Sequence, residues 1–286
     1  MAVPVERASA RAEAQLDLER IELQLLLEGV YRHYGYDFRE YAPASLRRRV
    51  GRRVREEQLP SITALTERVL HDPTCMARLL GDLSINVTAM FRDPDFYVAF
   101  TEHVVPQLRT YPFTRIWVAG CSTGEEVYSL AILLAEHDLY DRTRIYATDI
   151  NQRVLEQARE GVYPLDRMQE YTENYIRAGG KRAFSEYYVA AYEGALLDSA
   201  LRENVVWAQH NLVSDRSFNE FNLIMCRNVM IYFGKPLQDH VHRLFHESLA
   251  HLGVLALGHK ESVAFTPFAD RYEVLDAQER IYRKVR

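Results

Sequence analysis

Residues 115–160 hold the feature that most limits the fold, two strand–helix units in direct succession. RIWVAG (115–120) is a short apolar strand closed by glycine, and it runs into the helical pattern GEEVYSLAILLAEHDL. RIYATDI (144–150) repeats the plan and runs into NQRVLEQARE. Strands joined through helices lie parallel, because a parallel neighbour is reached only by a crossover. Three further apolar runs extend the pattern: VVWAQH (205–210), NLIMCRN (222–228) and GVLALGH (253–259). The helix KPLQDHVHRLFHESLAHL precedes the last of them. The expected fold is α/β, a mostly parallel open sheet with helices on both faces. The tail RYEVLDAQERIYRKV reads as a hairpin turning at Asp276 to Gln278, so an antiparallel pair should end the sheet.

The first part of the chain has another texture. Apolar residues recur at spacings of three and four in IELQLLLEGVYRHYG, ITALTERVLHD and CMARLLGDL. Ser61, after Pro60, marks a helix start, and Asp72-Pro73 marks a stop. These signals divide the chain into a flexible lead-in (1–18), an all-helical domain (19–85), a linker (86–110) and the sheet domain (111–286). Between Gly161 and Glu203 the strand–helix rhythm breaks. A helix followed by a small inserted antiparallel β unit is expected there, at about 172–204.

Composition excludes several classes. A net charge of −5 argues against general nucleic-acid binding. No apolar stretch is long enough to span a bilayer, and the N-terminus has no signal-peptide core, so a cytoplasmic location without membrane insertion is expected. Cys75, Cys121 and Cys226 form no CxxC pair and no zinc pattern, and they are read as reduced, buried thiols. His242 and His246 share a helical face, but no third ligand is evident, so no metal is expected.

In open parallel sheets, ligands bind beyond the carboxyl ends of the strands. The first strand ends in AGCSTGEE (119–126), where Gly120 and Gly124 allow a tight turn. The loop has neither GxGxxG nor GxxxxGK[ST]. Its helix opens on Glu125 and Glu126, which favour the helix dipole but repel a pyrophosphate. Acids in this place suit the cationic sulfonium and ribose donors of S-adenosyl-L-methionine better than NAD or ATP. Asp149 ends the second strand, where an acid accepts from ribose hydroxyls or caps the next helix.

Five runs in order carry a resemblance: INVTAMFRD (85–93), GCSTGEEVYSLA (120–131), ATDIN (147–151), CRNVMIYF (226–233) and LGHKES (257–262). Over residues 20–286 the chain resembles chemotaxis receptor methyltransferases of the CheR type. The resemblance implies a Rossmann-like methyltransferase sheet, an N-terminal helical domain and a small antiparallel β subdomain. The implied activity forms methyl esters on glutamate side chains from S-adenosyl-L-methionine and leaves S-adenosyl-L-homocysteine. It implies that Asn86, Thr88 and Arg92 line the cofactor from the linker, and that Glu126 and Asp149 hold its amino or ribose groups. Asn211 and Leu212 should flank the adenine, and Arg227 and Asn228 should close the site. Tyr232 and Arg109 should lie beside the transferring methyl. Plainer roles exist for several: Arg92 as a surface partner of Asp93 or Asp95, Asn86 as a helix cap, Tyr232 as core. A glutamate acceptor is already ionised near neutrality, since its ordinary pKa is about 4.3, so no general base is required.

LRRRVGRRVR (46–55) is strongly basic within an acidic chain. As a helix it puts Leu46, Val50 and Val54 on one face and Arg48, Arg52 and Arg55 on the other, with Arg49 and Arg53 beside them, all facing solvent. That face is either a solubilising surface or a dock for acidic helices. The resemblance implies the second, with a chemoreceptor or related signalling protein as partner and a monomeric enzyme. Two positions depart from the family's usual pattern: Asn222, where Asp is usual, and Lys260, where Ser is usual. A methyltransferase with another substrate and a non-catalytic S-adenosylmethionine-binding scaffold are the alternatives.

Overall fold

The computed structural model describes residues 3–84, 88–191 and 194–286. The chain divides into two compact units, Met1–Ile85 with Tyr232–Leu237, and Asn86–Ile231 with Gln238–Arg286. The first unit holds α1 (Val3–Tyr34), α2 (Pro43–Glu56), α3 (Ile62–His71) and α4 (Pro73–Leu83). Helix α1 already begins at Val3, so the lead-in expected for 1–18 is helical from its third residue. The ends of the other helices follow the local chemistry. Ser61 Oγ accepts the Ala64 N–H at 3.1 Å, and the Asp72 carboxylate accepts the Thr74 N–H at 2.8 Å with Pro73 behind it. Leu26, Val30, Leu46, Val50, Leu65, Val69 and Leu79 form the buried interior.

A later piece of chain completes this unit. The Ala42 N–H donates to the Tyr232 carbonyl at 2.9 Å and the Gly234 N–H to the Glu40 carbonyl at 2.7 Å. Tyr41 and Phe233 thus form an isolated antiparallel bridge, with their rings 4.9 Å apart.

Helix α2 corrects the sequence reading of its arginines. Arg48, Arg52 and Arg55 are exposed as expected, but Arg49 and Arg53 are buried. The reason is periodicity: 46, 49, 50 and 53 follow the i, i+3, i+4, i+7 rule and share the inner face. Arg49 Nη1 donates to the Leu83 carbonyl at 2.6 Å, and its guanidinium carbon lies 4.8 Å from the Tyr232 ring centroid. Arg53 pairs with Asp82 at 2.5 Å, Glu56 at 3.1 Å and Glu57 at 3.3 Å.

The second unit holds, in chain order, α5 (Pro94–His103), α6 (Val105–Leu108), β1 (Thr114–Ala119), α7 (Glu125–Glu136), β2 (Thr143–Asp149), α8 (Gln152–Glu160) and β3 (Val162–Pro164). There follow α9 (Met168–Arg177), β4 (Tyr188–Ala191), β5 (Gly194–Leu197), β6 (Val205–Gln209) and β7 (Phe221–Cys226). Helix α10 (Lys235–Ser248), whose start belongs to the first unit, leads to β8 (Leu249–Leu257), β9 (Tyr272–Asp276) and β10 (Ile281–Lys284). The main sheet has the order β6-β2-β1-β7-β8-β10-β9. Its first five strands are parallel, and β10 pairs antiparallel with both β8 and β9. Ile116 and Val118 on β1 join the core cluster that includes Val127, Leu130 and Ala131 of α7. Trp117 points the other way and meets Phe245 of α10 at 5.4 Å. Helices therefore cover both faces, because alternate strand residues point to opposite sides.

Two boundaries differ from expectation. The inserted unit is a three-stranded sheet of order β3-β5-β4 that starts at Val162, before α9 rather than after it. Strand β8 starts at Leu249, inside the segment read as helix. Lys284 Nζ donates to the carbonyls of His246 and Leu249, both at 2.7 Å, at the end of the helix.

The inner and outer arginines of α2 should differ sharply in stability. Arg53→Ala strands Asp82 in a half-buried setting and should destabilise the helical unit by about 3 kcal/mol. Arg48→Ala, on the exposed face, should cost less than about 0.5 kcal/mol. Urea titrations followed by helix signal check the contrast.

Candidate functional site

Strand β1 has β2 on one side and β7 on the other, so the connections leave it in opposite directions. Such a switch point opens a crevice at the carboxyl ends of the strands. The loops after β1, β2, β6, β7 and β8 all end there.

The loop after β1 is built on close approach. The N–H groups of Gly120 and Cys121 donate to the Thr148 carbonyl at 2.8 and 2.9 Å. A Cβ on Gly120, whose φ is +75°, would stand 2.5 Å from Val229 Cγ2 in the loop after β7. Gly124 has φ +93°, and a Cβ there would stand 2.9 Å from Ala158 Cβ. Larger residues would push apart the two loops or the neighbouring α8.

Asp149 ties the first loop to the second. Its Oδ2 accepts the Ser122 N–H at 3.0 Å and its Oδ1 the Asn151 N–H at 2.9 Å. The helix cap is Asn151, whose side chain accepts the Arg153 N–H at 3.1 Å. Of the two roles open to Asp149, the helix cap therefore falls to its neighbour. Burial pushes the Asp149 carboxyl above its usual range, and the backbone donors only partly offset this. The His210 N–H donates to the Asp149 carbonyl at 3.1 Å, which brings the end of β6 alongside. Asn211 follows in a local turn, its Oδ1 accepting the Val213 N–H at 3.0 Å, and Leu212 is buried.

Arg227 is the buried cation of the site. Its Nη1 donates to Glu126 Oε1 at 3.1 Å and to the Arg92 carbonyl at 3.3 Å, and its Nη2 to Asp93 Oδ2 at 2.9 Å. The guanidinium carbon lies 3.9 Å from the Phe96 ring centroid. Nε is buried with no hydrogen-bond partner among the described residues. Burial raises the Glu126 carboxyl above its usual range against the pull of Arg227. Glu125, its neighbour, turns into the interior, where it accepts from Thr123 Oγ1 at 2.7 Å.

Asn228 has φ +61°. Its N–H and that of Val229 both donate to the buried Glu261 carboxylate at 2.9 Å, and the Gly258 N–H adds a third bond at 2.7 Å. Sequence reasoning missed Glu261 and Asp93 as members of the site. Both sit inside matched runs, LGHKES and INVTAMFRD, and an acid within such a run was the available signal.

Thr88 and Arg92 are half-buried in the linker, and Arg92 contributes to the electrostatics at Glu126. Asp93, named as a surface partner for Arg92, pairs with Arg227 at 2.9 Å. Asn86 lies outside the described residues. Arg109 is a correction. It is exposed at the end of α6, five residues before β1 begins, and its carbonyl receives Arg142 Nη2 at 3.4 Å just ahead of β2. That is the amino end of the sheet, opposite the tips. Tyr232, Arg48, Arg52 and Arg55 belong to the helical unit described above. Asn222 Oδ1 accepts the Arg115 N–H at 2.8 Å near the starts of β7 and β1, so that departure lies away from the tips. Lys260 is exposed.

The donor set fits a ligand with cationic groups and hydroxyl donors. Buried acids stand at the tips, and a pyrophosphate would meet Glu126 at the start of α7. Among the described residues no helix is long and apolar enough to cross a membrane. Residues 21–84 match the family model described as the CheR methyltransferase all-alpha domain, and residues 86–281 the one described as its SAM binding domain. The Cher3 protein of Pseudomonas putida is 54% identical over 264 residues, 92% of this chain and 97% of that one. Chemotaxis protein methyltransferase 2 of Pseudomonas aeruginosa is 34% identical over 251 residues, 85% of this chain and 87% of that one. A 104.1 kDa protein from the hypE 3′ region of Rhodobacter capsulatus is 33% identical over 261 residues; the match covers 87% of this chain but 26% of that protein.

The raised carboxyls give a pH signature. Asp149 and Glu126 must be ionised to favour a positive ligand, and protons compete with it. Because both are displaced upward, affinity for S-adenosylmethionine should fall on acidification before the ordinary carboxylate range of about 4 is reached. Calorimetric titrations at about pH 7.5 and about pH 5.5 read this directly, and Asp149→Asn should bind more weakly with a flatter profile.

Proposed function

The chain belongs to the CheR methyltransferase family, and on that premise we propose that it forms methyl esters on glutamate side chains of a chemoreceptor or related signalling protein. The observation that carries the reading is the pair of acids, half-buried Glu126 and buried Asp149, at the tips of a parallel sheet whose first-loop helix opens on glutamate. In this reading Asp149 and Asn211 serve the nucleoside end, Thr88 and Arg92 approach from the linker, and Arg227 and Asn228 close the site.

S-adenosylmethionine, when bound, supplies a methyl group on a positively charged sulfur. The acceptor glutamate is ionised near neutrality, so the protein moves no proton. Its tasks are alignment and exclusion of water. Tyr232 is the residue we assign to orienting the incoming carboxylate. The Arg49 guanidinium carbon lies 4.8 Å from the Tyr232 ring centroid, within the helical unit. Among the described residues, Arg49 Nη2 is buried with no hydrogen-bond partner, on a guanidinium beside the tyrosine ring. The exposed Arg48, Arg52 and Arg55 suit an acidic helix that presents its glutamates.

A radiolabelled methyl donor incubated with the chain and candidate receptors should leave base-labile label on the receptor; label that survives base contradicts ester formation. The triple reversal Arg48→Glu, Arg52→Glu and Arg55→Glu should abolish receptor labelling while affinity for S-adenosylhomocysteine stays within about two-fold, since the exposed face makes little net contribution to folding. Loss of both would assign that face to folding. Tyr232→Phe should slow turnover roughly ten- to hundred-fold with cofactor affinity unchanged, as expected for an orienting group.

A further inference from the structure

The linker that reaches the site has no regular secondary structure from Thr88 to Asp93, and two of its residues carry unfavourable backbone angles. Phe91 has φ +50° and Asp93 φ +57°, in the left-handed region that side chains disfavour. These two residues flank Arg92. Something outside the linker must hold that conformation.

The holding groups can be named one by one. The carbonyls of Thr88, Met90 and Arg92 each receive a side-chain donor. Arg167 Nη2 reaches Thr88 at 3.3 Å, Asn174 Nδ2 reaches Met90 at 3.1 Å and Arg227 Nη1 reaches Arg92 at 3.3 Å. From α7, Ser129 Oγ accepts the Phe91 N–H at 2.8 Å and donates to the Glu125 carbonyl at 2.7 Å. The Phe91 ring is buried against Tyr97, Tyr175 and Phe184, at centroid distances of 5.1, 5.2 and 6.3 Å. Arg167, Asn174, Tyr175 and Phe184 all belong to the inserted segment between β3 and β4.

We propose that Arg167 and Asn174 are positioning residues for the cofactor: the inserted segment clamps the strained linker and so sets the direction in which Thr88 and Arg92 present themselves. Neither residue touches the reacting atoms. The clamp acts through the backbone carbonyls of Thr88 and Met90 and not through their side chains. It follows that cofactor affinity depends on an element remote in sequence from every tip loop. The proposal rests on the methyltransferase reading of the site.

The test uses the full chain and S-adenosylhomocysteine as titrant. Asn174→Ala and Arg167→Ala should each weaken binding roughly five-fold, the worth of one net hydrogen bond, and the double variant more than either. Arg167→Lys keeps one donor and should recover part of the loss. In turnover the KM for S-adenosylmethionine should rise while kcat changes little. A residue that only supports folding would lower the active fraction and leave KM where it was. Wild-type affinity in both alanine variants, or a fall in kcat at constant KM, overturns the clamp. A wild-type chain that binds no S-adenosylhomocysteine overturns the underlying reading instead, so the two failures are told apart.

Discussion

The guanidinium of Arg227 is the contact on which the rest of the site depends. It is a cation in the interior beside an aromatic ring, and such a charge is tolerated only when paired. Glu126 comes from the helix after β1, Asp93 from the linker and Arg227 itself from the end of β7. One ion cluster therefore fixes three segments that are distant in sequence. Removing Arg227 would leave two neighbouring carboxylates without their shared cation, whereas losing either acid leaves the guanidinium one partner.

Around this centre the loops are tied by carboxylates that accept backbone N–H groups. Asp149 joins the first and second loops, and Glu261 gathers Asn228, Val229 and Gly258. Both acids are buried, and burial raises each carboxyl above its usual range. The tips thus carry negative partial charge held in a low-dielectric setting, where electrostatic discrimination between ligands is strong. The same logic separates the two arginine faces of α2: Arg49 and Arg53 serve the interior, and Arg48, Arg52 and Arg55 are exposed.

Much of this was legible in the sequence because the strands are short apolar runs closed by glycine or by polar and charged residues. The five parallel strands and the terminal hairpin follow from that pattern. The start of β8 was hidden, because SLAHLGVLAL is mostly apolar and either period fits it. The first inserted strand, Val162–Pro164, is too short to show alternation. In α2 the basic residues masked the inner face, since arginine can bury its stem and still find partners. Of the residues named from the tight motifs, Glu126, Asp149, Arg227 and Asn228 stand on loops or helix starts at the carboxyl ends of the strands. Arg109 lay in no motif, and the fold carries it to the far end of the sheet. Asp93 and Glu261 escaped notice because their partners are backbone groups and a buried arginine, which spacing alone does not reveal.

The central claim is that the strand tips are acid-lined and select a nucleoside with cationic character over one carrying a pyrophosphate. Parallel calorimetric titrations with S-adenosylhomocysteine and with NAD test it most directly. The account predicts saturable one-to-one heat with the first and none with the second. Heat from NAD, or a flat trace with S-adenosylhomocysteine, would contradict it.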